Sequence, residues 1–247
     1  MTIFEKLLSI KKKKGAGYLV LIDPDKQSPE KTVKRAAESA ENGSDALLIG
    51  GSLLFSIEFD QLVAQVKARV NIPVIIFPGS LRQISHFADA LLFLVLISGR
   101  NPNNLIGEQV LAAPIIKRLG IEPISTGYML IESGRATAAE YMSNTRPIPR
   151  HKPEIAVAHT LAAEYMGMKL AYLEAGSGAD LPVPDETIFA VANNTQIPLI
   201  VGGGIKTPEE AAKKVKAGAS FIVTGNVLEK NNDVGLIREF TAAIHQS

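Results

Sequence analysis

The chain has 247 residues, 46% of them apolar and 21% charged, with a formal net charge of +1. The apolar share is enough for one large core, and the near-balance of charge argues against nucleic acid as a main partner, since such binders carry a basic stripe. There is no cysteine, which removes disulfides, thiolate catalysis and cysteine-ligated zinc.

The first segment, Met1 to Lys14, mixes Glu5 and lysines with apolar residues. It lacks the apolar core and small-residue cleavage site of a signal peptide. The longest apolar run, Ala90–Ile97, is far too short to span a bilayer. A soluble cytoplasmic protein is the expectation. The basic run Lys11 to Lys14 reads as the solvated end of a first helix, with an anionic membrane surface as the sharper alternative.

Eight short apolar runs follow: Tyr18–Ile22, Ala46–Ile49, Val74–Phe77, Ala90–Ile97, Glu122–Ser125, Leu170–Leu173, Leu199–Val201 and Phe221–Val223. Runs apolar at consecutive positions suit strands buried on both faces of a parallel sheet. The stretches between them carry helical spacing, as in Val33, Ala36, Ala37 and Ala40, or Leu62, Val63 and Val66. Ser28-Pro29 and Thr207-Pro208-Glu209-Glu210 are helix starts, and Gly218 is a helix stop. Eight strand–helix alternations predict one α/β domain over residues 1–247, a closed (β/α)8 TIM barrel rather than an open doubly wound sheet.

Two units are irregular. Only Gly79 to Ala88 separates the third and fourth strands, so the third helix is either short or missing. A missing helix would open a groove along the barrel flank. The stretch Tyr128 to Pro153 is an insertion with Gly134, Pro147, Pro149 and Pro153, read as a small lobe or cover.

Barrel active sites lie at the C-terminal ends of the strands. Those ends carry Asp23-Pro24-Asp25-Lys26, Gly50-Gly51-Ser52, Pro78-Gly79-Ser80, Ser98-Gly99-Arg100, Glu174 to Gly178, Gly202-Gly203-Gly204 and Gly225-Asn226. Glycine turns after both the seventh and eighth strands predict a phosphate site built from backbone N–H groups. Asp23 is either a turn cap or a Mg²⁺ ligand, with Asp25 able to exchange roles with it and Ser52 a candidate second oxygen. Glu174 ends the sixth strand, where its carboxylate can take or orient a hydroxyl proton, or else form a structural ion pair. The histidines at 86, 151, 159 and 245 follow no strand, and no serine–histidine–aspartate arrangement appears.

Leu21-Ile22-Asp23-Pro24-Asp25-Lys26, Ile49-Gly50-Gly51-Ser52, Tyr172 to Gly178, Val201 to Ile205 and Thr224-Gly225-Asn226 together resemble the motifs of the geranylgeranylglyceryl phosphate synthases and the related bacterial heptaprenylglyceryl phosphate synthases. The resemblance covers nearly the whole chain, and Tyr-Leu-Glu-Ala-Gly-Ser-Gly is its most specific segment. It implies a prenyltransferase of ether-lipid synthesis that joins sn-glycerol 1-phosphate to C1 of a polyprenyl diphosphate. It implies Mg²⁺ on Asp23 and Ser52, with Asp23 and Glu174 as the catalytic pair. Glycerol phosphate would lie on Tyr172, Leu173, Glu174, Ala175, Gly176, Ser177, Gly178, Gly203, Gly204, Gly225 and Asn226. It also implies a defective third helix beside a prenyl groove, and a homodimer or larger ring, for which Phe59, Tyr141 and Tyr165 are candidate contact aromatics. Other readings of the same phosphate turns are a sugar-phosphate isomerase or aldolase, a flavin oxidoreductase, and a non-catalytic scaffold. An aldolase would want a Schiff-base lysine at a strand end, and no lysine lies inside a predicted strand.

Overall fold

A computed structural model describes residues 1–55, 58–230 and 234–245. The eight strands are β1 (Gly17–Ile22), β2 (Ala46–Ile49), β3 (Val74–Ile76), β4 (Ala90–Leu96), β5 (Glu122–Leu130), β6 (Leu170–Glu174), β7 (Leu199–Gly202) and β8 (Phe221–Thr224). All neighbours pair in parallel in chain order, and β8 returns to β1, so the sheet closes into a barrel. Successive residues of each strand face opposite layers. Leu19, Leu48, Ile75, Leu92, Tyr172 and Phe221 fill the barrel interior, while Val20, Leu47, Ile76, Leu91, Leu173 and Ile222 pack under the helices. This is why the strands read as unbroken apolar runs.

The helices are α1 (Ile3–Lys14), α2 (Pro29–Glu41), α3 (Phe59–Arg69), α4 (Glu108–Leu119), α5 (Ala138–Ser143), α6 (Pro153–Tyr165), α7 (Asp185–Asn194), α8 (Pro208–Lys216), α9 (Asn226–Lys230) and α10 (Val234–His245). Ser28 and Thr207 cap α2 and α8 through their hydroxyls, each with proline in the first turn. The α8 box differs in one bond: the Glu210 carboxylate accepts from the Lys206 amide at 2.7 Å, one residue before the cap. On α2 the buried stripe is Thr32, Arg35, Ala36 and Ser39, rotated from the apolar stripe that the sequence suggested. Helix α1 closes the N-terminal end of the barrel. Its first amides, Ile3 and Phe4, donate to the Glu122 carboxylate at 2.5 and 3.1 Å, and Leu7 is buried against the interior. The basic run ends α1 at that same closed end, where the Lys14 ammonium meets Asp45 at 2.6 Å. It therefore lies opposite the strand C-termini.

No helix stands between β3 and β4 among the described residues; the link runs in turns from Phe77 to Asp89. The missing element is thus the third helix of the ring. Strand β5 is longer than the sequence suggested, continuing through Thr126–Leu130, because Tyr128, Met129 and Leu130 pair with Tyr172, Leu173 and Glu174 of β6. The insertion after it is anchored: Ile131 bridges Ile148, and the Arg150 guanidinium donates to the carbonyls of Glu132 (3.0 Å) and Pro182 (2.7 Å). No helix among the described residues is long and apolar enough to cross a membrane.

Candidate active site

The strand alternation decides which side chains of β6 reach the barrel interior. Tyr172 and Glu174 point inward; Leu173 and Ala175 pack into the layer beneath the helices, so what those two offer a ligand is main chain. Glu174 is only 5% exposed. Burial raises its pKa from the ordinary 4.5 to about 7, against the lowering effect of a 2.6 Å hydrogen bond that Oε1 accepts from the Gly176 amide. The neighbouring Tyr172 hydroxyl also acts to lower this pKa. The Tyr172 hydroxyl is buried beside Glu174 and forms no well-shaped hydrogen bond among the described residues. Tyr172, Phe77 and Tyr128 make one aromatic cluster, with Phe77 stacked on Tyr172 at 5.4 Å and Tyr128 edge-on to both.

The turn after β7 presses directly on this carboxylate. Gly203 has φ +80°, and a Cβ there would run into Glu174 Oε1 and the Gly176 amide. Only glycine allows that approach. No backbone carbonyl among the described residues takes the amides of Gly203, Gly204 or Gly225. Ser177 donates to Asn226 Oδ1 at 2.9 Å, which joins the β6 loop to the β8 turn. Gly176, Ser177, Gly178, Gly203, Gly204, Gly225 and Asn226 thus come together at one corner of the mouth.

Asp23 lies on the other side, after β1. Its Oδ1 accepts the Asp25 amide at 3.1 Å, and burial holds its pKa above the ordinary carboxylate value despite that bond and the nearby Lys26. Gly51 packs against it; a Cβ on Gly51 would lie 3.0 Å from Asp23 Oδ2. That contact brings the β2 end beside the carboxylate, and Ser52 is the next residue along the chain. Asp25 is turned elsewhere: its Oδ2 accepts the Phe55 amide at 2.6 Å. Among the described residues no group of three His, Cys, Asp or Glu side chains gathers to cage a metal. One carboxylate and a hydroxyl at an open mouth still fit Mg²⁺, which commonly takes one or two protein oxygens and completes its shell with water and substrate phosphates.

From this mouth a cavity of about 410 Å³ runs out through the flank where the third helix is missing. Its inner end is lined by Gly51, Ser52, Phe77 and Tyr128, and its outer walls include Leu81, Ile84, Phe93 and Ala112. The volume lies in the range of small-molecule sites. Gln83, fully buried, holds the shape of the inner end. Its Oε1 accepts the amides of Gly51 and Gly79, both at 3.2 Å, and its Nε2 donates to the Gly51 carbonyl at 2.8 Å.

Sequence reasoning missed Phe77, Gln83 and Tyr128 as site residues. Tyr128 was hidden because β5 was expected to stop at Ser125. Gln83 had a signal, as a polar residue inside the short β3–β4 link between Leu81 and Ile84. Of the aromatics read as candidate contacts, Tyr141 (83%) and Tyr165 (81%) are exposed, whereas Phe59 is 3% exposed and belongs to the core. It occupies the first position of α3, which turns it inward.

The family model described as the PcrB family matches residues 8–244. The chain belongs to the PcrB family. Among curated relatives, the geranylgeranylglyceryl phosphate synthase of Chitinophaga pinensis is 45% identical over 98% of this chain and 96% of its own length. The synthase of the same name from Thermococcus kodakarensis is 49% identical over 90% and 88%. The solved structure of (S)-3-O-geranylgeranylglyceryl phosphate synthase from Thermoplasma acidophilum, in complex with its substrate sn-glycerol-1-phosphate, superposes with a TM-score of 0.95 at 34% identity and covers all of both chains. A thiamine phosphate pyrophosphorylase from Pyrococcus furiosus, 13% identical with a TM-score of 0.63 over 95% of this chain and 98% of its own, shares the fold alone. The expectation drawn from the five motifs, membership of the family that holds these synthases, therefore stands, as does the TIM barrel.

Proposed function

We propose that this PcrB-family barrel is a Mg²⁺-dependent prenyltransferase of ether-lipid synthesis, which joins sn-glycerol 1-phosphate to a polyprenyl diphosphate, geranylgeranyl diphosphate being favoured. The observation that carries the reading is the course of the flank cavity. It begins among apolar side chains outside the barrel and its inner end is walled by Gly51, which packs against Asp23, and by Tyr128, which packs against Tyr172 on the strand that carries Glu174. A long hydrocarbon laid in it places its head at the mouth. The relatives' shared name and the glycerol phosphate bound by the Thermoplasma neighbour support the two substrates.

The phosphate of glycerol phosphate would sit on the Gly203, Gly204 and Gly225 amides with Ser177 and Asn226. That seat would turn one of the two glycerol hydroxyls, the one that becomes the ether, toward Glu174. In the reaction the hydroxyl oxygen bonds to C1 of the prenyl chain, the bond from C1 to the diphosphate oxygen breaks, and diphosphate leaves with the bonding pair. The hydroxyl proton passes to the Glu174 carboxylate. A carboxylate with a pKa near 7 is a stronger base than an ordinary glutamate and is still ionised in a large share of molecules at neutral pH. Holding both reactants at one mouth makes the attack effectively unimolecular. Asp23 and Ser52 would hold Mg²⁺, which when bound neutralises negative charge on the departing diphosphate. Phe77 and Tyr128 line the inner end of the groove with Tyr172 packed against both, and together they would screen the reacting carbon from water.

An assembly of like chains would cover the apolar face of the α4 region, where Ile106, Val110 and Leu111 are each 60% exposed. Contact with a membrane during lipid uptake would use the groove mouth near exposed Leu53 and Phe55 rather than the basic run at the far end of the barrel. The deciding experiment is a radiolabelled glycerol 1-phosphate assay with prenyl diphosphates of several lengths, with Mg²⁺ and with excess chelator. Ether product in the first condition and none in the second is expected. Absence of ether product with every donor would end this reading.

A further inference from the structure

The groups assigned above to the phosphate carry no positive charge, and a phosphate monoester at neutral pH brings between one and two negative charges. Backbone amides shape such a site without balancing it. Three basic side chains reach this corner among the described residues. Lys206 is turned to the Asp180 carbonyl, 2.8 Å from its Nζ. Arg135 lies over Gly178 but leans toward the Asp180 carboxylate at 3.8 Å. Of the three, Lys26 is the one whose charged end hydrogen-bonds to side chains of the turns, with Nζ 2.6 Å from Asn226 Oδ1 and 3.3 Å from Ser177 Oγ.

We propose that Lys26 is the charged ligand of the phosphate group, reaching from the end of β1 across to the turns after β6 and β8. The identity of the ester rests on the function proposed above; the charge assignment rests on the position of Lys26. The Asp-Pro-Asp-Lys turn sets that position. It is closed by the Lys26 amide donating to the Asp23 carbonyl at 3.4 Å, so the two side chains emerge together. Their charged ends sit 3.8 Å apart, Asp23 toward Gly51 and Lys26 toward Ser177 and Asn226. The mouth is thereby divided into a carboxylate side for the Mg²⁺-bound diphosphate and an ammonium side for the monoester. Glu229, 2.9 Å from Nζ, braces the lysine from behind. An ammonium has three donors, so it can keep Glu229 and still give two bonds to phosphate oxygens. On arrival the phosphate supplies acceptors for both Lys26 and Ser177, which now share the single Asn226 Oδ1.

The test is calorimetric titration of sn-glycerol 1-phosphate, and separately of inorganic phosphate, into wild type, Lys26→Met and Lys26→Arg, with no prenyl diphosphate present. Loss of a charge-assisted bond should weaken both ligands roughly 10- to 100-fold in Lys26→Met, with most of the affinity kept in Lys26→Arg. The KM for prenyl diphosphate should stay unchanged. A merely structural lysine would instead loosen both substrates together and lower Tm. Binding of inorganic phosphate to Lys26→Met within about threefold of wild type overturns the assignment, whatever the ester proves to be. Binding of inorganic phosphate that depends on Lys26, without any binding of glycerol 1-phosphate, would spare the assignment and sink the proposed substrate. Should Lys26→Met fail to fold, lysine ammonium NMR of wild type, assigned with Lys26→Arg, replaces it. The Lys26 signal should shift on adding phosphate, and an unmoved signal overturns the proposal.

Discussion

Glu174 combines two costs that a structural residue would avoid: it is a carboxylate nearly out of water, and it has one firm hydrogen bond where a buried carboxylate wants several. Its pKa near 7 gives two expectations of opposite sign. As the base, it must be ionised, so kcat/KM should rise with pH through about 7 and level off above it. Glu174→Gln should remove most of the turnover at every pH while glycerol phosphate still binds; a variant that keeps turnover would reduce Glu174 to a structural role. For stability, a carboxyl whose folded pKa is raised favours the fold below its unfolded pKa, and that benefit is lost as pH rises through the folded value. The same variant should therefore be more stable than wild type at pH 8, by on the order of 3 kcal/mol, with the gap closing toward pH 5 in denaturant titrations. Asp23 is the other residue that answers to substitution. Asp23→Ala should cut turnover by at least about 100-fold, the scale expected when a metal-held charge is lost, and near-normal turnover in the product assay would exclude it as the Mg²⁺ ligand.

At the scale of elements, the informative feature is an absence. Six of the seven links between consecutive strands carry a helix, and among the described residues the β3–β4 link does not. A complete ring would have buried the outer face of β4. Here Leu91 and Phe93 instead line a cavity that continues inward to Tyr128. Gln83 compensates for the lost helix by tying the β2 and β3 ends together with three hydrogen bonds. The cavity makes a prediction about length. Ala112 on α4 faces the groove and is 8% exposed, so Ala112→Phe should fill its outer part. With the longest accepted prenyl diphosphate, kcat/KM should fall by about tenfold or more, while a ten-carbon donor should lose less than about threefold, since only the outer part is blocked. Equal losses with both donors would mean that the chain does not follow this groove.

The whole molecule is fastened at the end away from the mouth. Asp45, 5% exposed, accepts bonds from Lys14 of α1 (2.6 Å), the Tyr18 amide of β1 (2.8 Å) and His245 of α10 (2.8 Å). One carboxylate thus ties the first helix, the first two strands and the last helix. Burial alone would raise its pKa, but the bonds from His245, Lys14 and Tyr18 outweigh burial and leave it below the ordinary value. A depressed carboxylate contributes stability above its unfolded pKa and loses it as pH falls through the folded one. Asp45→Ala should cost about 3 kcal/mol at pH 7, or roughly 6–12 °C in Tm. The difference from wild type should shrink only in acid below about pH 4, where the carboxylate protonates. A Tm within about 2 °C of wild type at pH 7 would show that the closed end is held by packing alone.

The TIM barrel was legible in the sequence because its cause is local and repeated. Strands buried on both faces must be apolar at every position, helices between them must show a stripe, and the two alternated eight times. The glycine turns after the seventh and eighth strands were legible for a similar reason, since each follows directly on an apolar run, and the resemblance of five motifs in order gave the family. Tertiary structure decided what depends on residues far apart in the chain. It sent Glu174 into the barrel and Leu173 away, a choice of register that an all-apolar strand does not reveal. It set Gly203 against the Glu174 carboxylate, a contact made only when β6 and β7 pair. It joined Tyr128 of β5, Phe77 just after β3 and Tyr172 of β6 into one aromatic cluster at the inner end of a groove, and it carried Lys26 from the turn after the first strand to the turns after the sixth and eighth. Those positions follow from barrel closure, which brings the last strand beside the first.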